Sequence, residues 1–244
     1  MCKPVARGGD PRCQDAIVIT NRALVKGDFL TQMARVLSLH PHAVILREKD
    51  LSDAAYEALA HALLPMCRAA QVPCFLHGHI ALAQKLGCRR IHLPLAALEQ
   101  QMLGASTVET SSIECLPQKQ PGARLHTQLA EADERRAQRA SESDSCTGKQ
   151  RLQDLFDEIS VSCHSMEDVQ RAVAGGATKI VLGTIFETEC KRGLKGRGLD
   201  FVREVTAACP IPVYAIGGIT LERIPLVQHA GAGGGCMMSG FMTM

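Results

Sequence analysis

Aromatic residues are scarce in this chain of 244 residues, which has no tryptophan, two tyrosines and six phenylalanines. Proteins that bind nucleic acid usually present aromatic platforms for base stacking or a strongly basic surface. A formal net charge of +2 supplies no such basic field. We therefore expect no nucleic-acid partner.

Long apolar runs are also absent. No stretch approaches the roughly 18 apolar residues that a membrane-spanning helix needs. Residues 1–15 carry charges and prolines, and they lack the apolar core of a secretion signal. The sequence therefore predicts a cytoplasmic protein that has no membrane partner.

The eleven cysteines lack the spacing of a metal site. No CxxC or CxxxC pair occurs, although structural zinc and iron–sulfur sites typically use such pairs. Several cysteines lie inside apolar runs, where a thiol behaves as a small hydrophobic group. We expect reduced, mostly structural thiols, because no secretion signal points to an oxidising compartment.

Eight short apolar runs recur along the chain, and most are rich in β-branched residues, which is typical of strands. Their near-continuous apolarity favours parallel strands that are covered on both faces. The predicted strands are residues 16–19, 43–46, 72–76, 90–93, 159–162, 179–182, 212–216 and 235–238. Helical patterns lie between them, at residues 53–70, 199–208 and 221–230 and after a capping box of Ser165 and Asp168.

This alternation predicts one α/β domain over residues 16–244, a single (β/α)8 TIM barrel, preceded by an N-terminal tail at 1–15. The interval between the fourth and fifth strands is far longer than the others. Residues 104–151 fill it with Ser, Glu, Gln, Arg and Lys. Because such a segment buries little apolar surface, we expect a polar, disordered insertion there.

The sequence ends soon after the eighth strand, so no final covering helix is predicted. Either the chain is truncated or another subunit covers that strand. We therefore expect a homo-oligomer.

In a barrel of this kind the functional site lies at the carboxyl ends of the strands. Arg47 and Lys49 directly follow the second strand. A guanidinium offers a planar fork for phosphate or carboxylate, and an ammonium offers a compact charge. The two residues therefore either bind an anionic group or belong to a solvated turn.

The fifth strand ends at Ser162, Cys163 and His164. His164 is either a general acid or base, because imidazole changes charge near neutral pH, or a residue that braces the next helix. A nucleophilic pair of Cys163 and His164 is not expected, because adjacent residues of a strand point to opposite faces.

Glycine-rich segments follow the last three strands. Residues 191–198 contain four cations and three glycines, which is what an anionic substrate requires, and Lys191 opens this loop. Barrels often bind phosphate through backbone N–H groups between their seventh and eighth βα loops. The residues expected to bind phosphate in this way are Gly217, Gly218, Met238 and Ser239.

Three blocks and one loop together resemble the thiamine phosphate synthase/TenI superfamily of (β/α)8 barrels. The blocks are residues 46–52, 160–165 and 215–220, within a match that runs from about residue 16 to residue 240. The loop at 185–198, IFETECKRGLKGRG, is most similar to the TenI-like branch. The resemblance implies a role in thiamine biosynthesis, with a small-molecule thiazole phosphate as the ligand.

Thiamine phosphate synthases of this superfamily join a pyrimidine diphosphate to a thiazole phosphate and release pyrophosphate. Arg47 and Lys49 match their Gln-x-Arg-x-Lys pattern, whereas Ile45 stands at the glutamine position. Their two acidic magnesium ligands are replaced by His77-Gly78 and by LAAL at residues 95–98. Since Mg²⁺ needs oxygen ligands, we expect no metal cofactor unless the synthase alternative holds.

The TenI-like branch includes thiazole tautomerases, which aromatise a thiazole carboxylate phosphate by metal-free proton transfer. Their catalytic histidine follows the glycine that ends the sixth strand, where this chain has Thr184. His164 matches a second histidine of the family, and His77 is an additional histidine at the mouth. The resemblance makes Thr184 and His164 catalytic candidates and Ser162 a substrate-binding candidate within a matching block. His77 is a further catalytic candidate because it lies at the mouth.

Three functions follow from the resemblance. The favoured one is a TenI-like thiazole tautomerase, an isomerase that uses His164 or His77. The alternatives are a thiamine phosphate synthase, which is a transferase, and a catalytically inactive relative that binds a phosphate ligand or has a regulatory role. In each case we expect Arg47 and Lys191 to neutralise the anionic groups of the ligand.

Overall fold

A closed barrel of eight parallel strands forms the centre of the protein. The structure is a computed structural model that describes residues 11–103, 151–187 and 196–244. The strands are β1 (Ala16–Ile19), β2 (Ala43–Leu46), β3 (Cys74–His77), β4 (Arg90–Pro94), β5 (Glu158–Cys163), β6 (Lys179–Gly183), β7 (Val213–Ile216) and β8 (Gly234–Met237). Each pairs with the next in chain order, and β8 pairs with β1. The predicted (β/α)8 barrel is confirmed.

Helices alternate with the strands around the barrel. They are α1 (Phe29–Ser38), α2 (Asp53–Ala69), α3 (Ile80–Lys85), α4 (Leu95–Met102), α5 (Leu152–Leu155), α6 (Met166–Ala174), α7 (Gly198–Ala208), α8 (Ile224–His229) and α9 (Ser239–Met242). The predicted capping box starts α6: Ser165 Oγ accepts the Asp168 N–H at 3.1 Å, and Asp168 Oδ2 accepts the Ser165 N–H at 3.2 Å. It satisfies two N–H groups that a helix start leaves unpaired.

Two apolar clusters follow from the alternation of side chains along each strand. The larger one lies between the strands and the helices and includes Val18 and Val44. The smaller one fills the barrel interior and consists of Ile17, Ile19, Ala43, Ile45, Phe75, Val181, Tyr214 and Cys236. Near-complete burial on both faces explains why the strands read as continuous apolar runs.

A buried ionic group closes the amino-terminal end of the barrel. Lys179, at 8% exposure, places Nζ 3.1 Å from Glu158 Oε2 and 4.9 Å from the centroid of the Phe75 ring. Glu158 also accepts a hydrogen bond from Arg90 Nε at 2.6 Å. Because each charge is paired, the group is tolerated inside the protein.

A single helical turn, α9, follows β8 and buries Phe241 and Met242. The sequence did not predict this turn, which has four residues and is much shorter than the full covering helix whose absence was predicted. Gln32 of α1 donates from Nε2 to the Phe241 carbonyl oxygen at 2.7 Å, which ties this turn to the first helix. A single helical turn is too short to produce a recognisable apolar period.

Two predicted segments lie wholly or partly outside the described residues. Residues 104–150 belong to the predicted insertion, whose disorder stays a prediction, and residues 1–10 belong to the predicted tail. Within the rest of that tail, Pro11–Cys13 form a 3₁₀ turn whose Cys13 is buried.

Six of the described cysteines are free thiols, and most of these are buried: Cys67, Cys74, Cys88, Cys163, Cys209 and Cys236. They pack as small apolar groups in the way the sequence indicated. Among the described helices, none combines the length and the apolarity that crossing a bilayer requires.

Candidate active site

The barrel mouth, formed by the carboxyl ends of the strands, gathers most of the predicted site residues. The described ones, each at or just after a strand end, are Arg47, Lys49, His77, Ser162, His164, Thr184, Gly217, Gly218, Met238 and Ser239. Lys191 lies outside the described residues. A closed parallel barrel points all its strands in one direction, so residues distant in sequence meet at this end.

A cationic corner lies at the ends of β2 and β3. The Arg47 backbone N–H donates to Thr20 Oγ1 at 2.9 Å, which fixes the exit of β2 against β1. Burial, followed by the charges of Arg47 and Lys49, lowers the pKa of His77 to about 4. His77 is therefore neutral at neutral pH beside two cations, where it can donate or accept a hydrogen bond but is a weak base.

The same end of β2 carries a buried carboxylate. Glu48 is 4% exposed, and its two carboxylate oxygens accept the Arg22 backbone N–H at 3.2 and 3.0 Å. The Arg22 side chain lies 3.5 Å from the same carboxylate, and its Nη2 donates to Asp50 at 2.6 Å. Glu48 thus holds the loops after β1 and β2 together and keeps Arg47 and Lys49 at the mouth.

His92 on β4 is a buried polar residue that the sequence analysis did not select. Its Nδ1 lies 2.9 Å from Ser160 Oγ, and its Nε2 lies 2.9 Å from Ser162 Oγ. Burial, followed by the charges of His77 and Arg47, lowers the pKa of His92 to about 3, so the ring is neutral.

A neutral imidazole has one donor nitrogen and one acceptor nitrogen, so one of the two serines donates to His92 and the other accepts. The His92 ring centroid lies 5.4 Å from that of His77. The strand Arg90–Pro94 contained a signal for this residue, since polar and apolar side chains alternate there. Because successive side chains of a strand point to opposite faces, a polar residue between two apolar residues that face the helices points into the barrel interior.

His164 has the geometry of a general base. Its Nδ1 lies 2.9 Å from the Gly183 carbonyl oxygen. A carbonyl oxygen can only accept, so Nδ1 carries a proton, and in the neutral form of this ring Nε2 has the lone pair. A Cβ atom added at Gly183 would lie 3.9 Å from His164 Cε1 and 2.5 Å from Ile216 Cγ2, so the imidazole lies at the mouth beside the ends of β6 and β7.

Cys163 lies on the other face of β5. It is fully buried in the cluster between strands and helices, whereas His164 is exposed. Burial raises the pKa of the Cys163 thiol to about 12, which keeps it protonated. The two residues therefore form no nucleophilic pair, as the alternation along the strand predicted.

The two glycines after β7 pack against the loop after β6. Gly217 and Gly218 have φ values of +100° and +62°, which L side chains rarely adopt. A Cβ atom at Gly217 would lie 2.4 Å from Thr184 Cγ2, and one at Gly218 would lie 2.5 Å from the Glu187 carbonyl oxygen. A side chain at either position would displace this loop, so glycine is required for packing.

The end of β8 completes the mouth. Met238 is half-buried, and its sulfur accepts a hydrogen bond from Asn21 Nδ2 at 3.6 Å. Ser239 is exposed next to it. The four residues predicted to bind phosphate thus occupy two adjacent strand ends, β7 and β8.

Two of the described carboxylates near the mouth are paired with cationic or imidazole side chains. Asp50 pairs with Arg22, and Asp53 lies 3.5 Å from His79 Nδ1. No group of three or more His, Cys, Asp or Glu side chains in residues 11–103, 151–187 and 196–244 could hold a metal ion. The ends of β3 and β4 offer imidazole and apolar side chains, whereas Mg²⁺ prefers several oxygen ligands.

A cavity of about 250 Å³ lies at the opposite end of β3 and β4. Its lining includes Cys67, Cys74 and Cys88 together with Arg68 and Arg89. Burial raises the pKa of the Cys88 thiol. A hydrogen bond with Cys67, together with burial, raises the pKa of the Cys74 thiol well above its usual range. Protonated thiols are poor nucleophiles, so Cys74 and Cys88 do not suit nucleophilic catalysis.

The fold and the mouth define a (β/α)8 barrel with cations on one side of its mouth and a glycine pair on the other. The family model described as TMP-TENI, thiamine monophosphate synthase, matches residues 16–110 and 150–241. The chain therefore belongs to this thiamine-biosynthesis family. The resemblance to the superfamily is confirmed, while its TenI-like branch is not singled out.

Individual relatives carry the name of an enzyme. The chain is 36% identical over 85 residues to the thiamine-phosphate synthase of Caldivirga maquilingensis, a match that covers 35% of this chain and 42% of that protein. It is 27% identical over 199 residues to the thiamine-phosphate synthase of Roseiflexus castenholzii. That match covers 81% of this chain and 67% of the other protein. The chain thus spans less than half of the first relative.

A solved structure has the same architecture. The thiamine phosphate pyrophosphorylase of Pyrococcus furiosus aligns with a TM-score of 0.63 and 19% identity, over 96% of this chain and 91% of that one. At this identity the likeness concerns the fold alone.

Proposed function

We propose that the chain is a thiazole tautomerase, which aromatises a thiazole carboxylate phosphate by proton transfer without a metal. The hydrogen bond from His164 Nδ1 to the Gly183 carbonyl carries this proposal, because it leaves Nε2 as a base at the mouth. Nε2 removes a proton from a ring carbon, and the imidazolium then returns a proton to another carbon of the ligand. The Gly183 carbonyl stabilises the imidazolium formed between the two steps.

The two ends of the proposed ligand carry negative charge, and the two sides of the mouth suit them. Backbone N–H groups around Gly217, Gly218, Met238 and Ser239 would bind the phosphate. Arg47 and Lys191 would neutralise the anionic groups. We further propose that the protein works in the cytoplasm as a homo-oligomer, with no nucleic-acid or membrane partner.

The remaining candidates have supporting roles in this proposal. His77, with a pKa of about 4, donates a hydrogen bond to the ligand rather than accepting a proton. Ser162 lies 2.9 Å from the buried His92 and presents a hydroxyl whose orientation that histidine sets. The Thr184 hydroxyl is too weak an acid and base for proton transfer at neutral pH, so it contributes shape to the mouth.

The test is turnover of the non-aromatic thiazole carboxylate phosphate in the presence of EDTA, followed by the absorbance of the aromatic product. We expect turnover by the wild type and a loss of about 10²-fold or more in kcat for His164→Gln, because general base catalysis contributes that much. His77→Gln is expected to retain activity with a raised KM. His61→Gln, an exposed histidine on α2, is the matched control.

The outcomes separate the three functions. Full activity of His164→Gln would contradict the role of His164. Tight binding of the aromatic product with no turnover by the wild type would replace the tautomerase with an inactive, phosphate-binding relative.

A thiamine-phosphate synthase is the second candidate. The names of the relatives favour it, and so do Arg47 and Lys49, two cations suited to a diphosphate. Release of pyrophosphate from a pyrimidine diphosphate and a thiazole phosphate, dependent on added Mg²⁺, would establish it. Among the described residues, no group of three or more His, Cys, Asp and Glu side chains could hold a metal ion, so we do not expect the activity to depend on Mg²⁺.

A further inference from the structure

The loop after β6 returns to the strand end at Gly196. A Cβ atom added at Gly196 would lie 2.5 Å from the Ile185 carbonyl oxygen, so only glycine allows this approach. The Arg197 N–H donates to the Thr184 carbonyl at 3.0 Å, and the Gly198 N–H donates to the Ile185 carbonyl at 2.9 Å. These contacts hold the backbone of Arg197 against the exit of β6.

The side chain of Arg197 extends from this point to the end of β5. The guanidinium carbon lies 3.9 Å from the centroid of the Phe201 ring on α7, and stacking on that ring orients the planar group. Its Nη1 donates to the His164 carbonyl oxygen. Arg197 thus connects the loop after β6 to the residue with the geometry of a base.

His164 is held from three directions. Asp168 Oδ2 accepts its backbone N–H at 2.8 Å, and Arg197 donates to its backbone carbonyl. The Gly183 carbonyl accepts from the imidazole Nδ1 at 2.9 Å. Fixing a side chain costs rotamer entropy, so contacts that hold the backbone of His164 favour the contact between its Nδ1 and Gly183.

We propose that Arg197 is a positioning residue that keeps the imidazole of His164 in the Nδ1–H tautomer with Nε2 turned to the mouth. The kinetic consequence rests on the proposed function, in which His164 is the base. The tautomer itself is a property of the free protein and can be measured without substrate.

The first experiment measures the tautomer. The ¹⁵N imidazole resonances of His164, assigned by their loss in His164→Gln, are recorded for the free protein at about pH 8, above the usual histidine pKa. We expect a protonated Nδ1 in the wild type and a mixture rich in protonated Nε2 in Arg197→Ala. Arg197→Lys, which keeps a donor but loses the planar stack, is expected to lie between them.

Arg203→Ala is the matched control. Arg203 is exposed on α7, the helix that Arg197 precedes, and it pairs with Asp200. The control is expected to keep the wild-type tautomer, and far-ultraviolet circular dichroism verifies that each variant is folded. An unchanged His164 tautomer in both Arg197 variants would overturn the proposal.

The second experiment measures turnover of the thiazole carboxylate phosphate. We expect Arg197→Ala to lower kcat about tenfold or more with little change in KM, because a misplaced base affects the reaction rather than the binding of ligand. An unchanged kcat alongside a shifted tautomer would also count against the proposed positioning role. A wild type without turnover would contradict the proposed function, while the tautomer measurement would still decide the role of Arg197.

Discussion

Three histidines at the mouth have different chemistry because their surroundings differ. His92 is buried between two serines and has a pKa of about 3, and His77 lies beside Arg47 with a pKa of about 4. His164 is exposed, and a backbone carbonyl holds its Nδ1. The surroundings of His92 and His77 strongly disfavour the imidazolium, so these two rings are weak bases.

The buried histidine predicts acid sensitivity. The pKa of His92 falls from 6.5 in the unfolded chain to about 3 in the fold, so between these values the unfolded chain binds more protons. The free energy of unfolding therefore decreases as pH falls from 6.5 towards 3, by up to about 1.4 kcal/mol per pH unit for this group.

We expect His92→Gln, which retains one donor and one acceptor, to lose less stability than the wild type between pH 7 and pH 5. Urea unfolding at both pH values measures the difference. His61→Gln on the surface should behave as the wild type does. Equal pH dependence of His92→Gln and the wild type would contradict the assigned protonation state.

At the scale of elements, arginines connect the βα loops that form the mouth. Arg223, next to α8, donates from Nη1 to the Gly218 carbonyl at 2.6 Å, and its guanidinium lies 4.7 Å from the Phe186 ring. The hydrogen bond turns the Gly218 carbonyl towards Arg223, so the N–H of the next residue, on the same peptide plane, points the other way. Arg223 therefore orders the glycine pair.

This contact predicts an effect on binding that does not require direct contact with the ligand. We expect Arg223→Ala to weaken binding of the thiazole phosphate about tenfold, because the peptide planes of the glycine pair lose their fixed orientation. Isothermal calorimetry measures the dissociation constant. Arg68→Ala, an exposed arginine on α2 at the other end of the barrel, is the control, and equal affinity of both variants would contradict the role of Arg223.

At the scale of the whole molecule, the two ends of the barrel have separate tasks. Paired charges and aromatic rings around Lys179 close the amino-terminal end. The candidate site residues lie at the carboxyl end. In (β/α)8 enzymes the first end contributes stability and the second contributes activity.

Replacement of Lys179 by methionine tests this separation. Lys179→Met leaves Glu158 with Arg90 as a partner but removes one buried hydrogen bond, so we expect a loss of about 1–3 kcal/mol in the free energy of unfolding. The dissociation constant of the thiazole phosphate should stay unchanged. Lys85→Met, which removes an exposed ion pair with Glu57, should cost less, and a large loss of ligand affinity in Lys179→Met would contradict the separation.

Much of the barrel could be predicted from local patterns. The strands are short apolar runs, the box of Ser165 and Asp168 starts α6, and the glycines and cations follow strand ends. These features depend on neighbouring residues, so periodicity and capping rules identify them. The single turn α9 was missed because one turn has no measurable period.

The sequence by itself determined the alternation of strand and helix, and with it the barrel and the end at which the candidate site residues lie. Only the tertiary structure decided which side chains meet there. His92 and Ser160 are 68 residues apart, and Arg197 and His164 are 33 apart. Such contacts depend on the register between strands and on how each loop returns, which are set by the packing of the whole barrel and not by any local pattern.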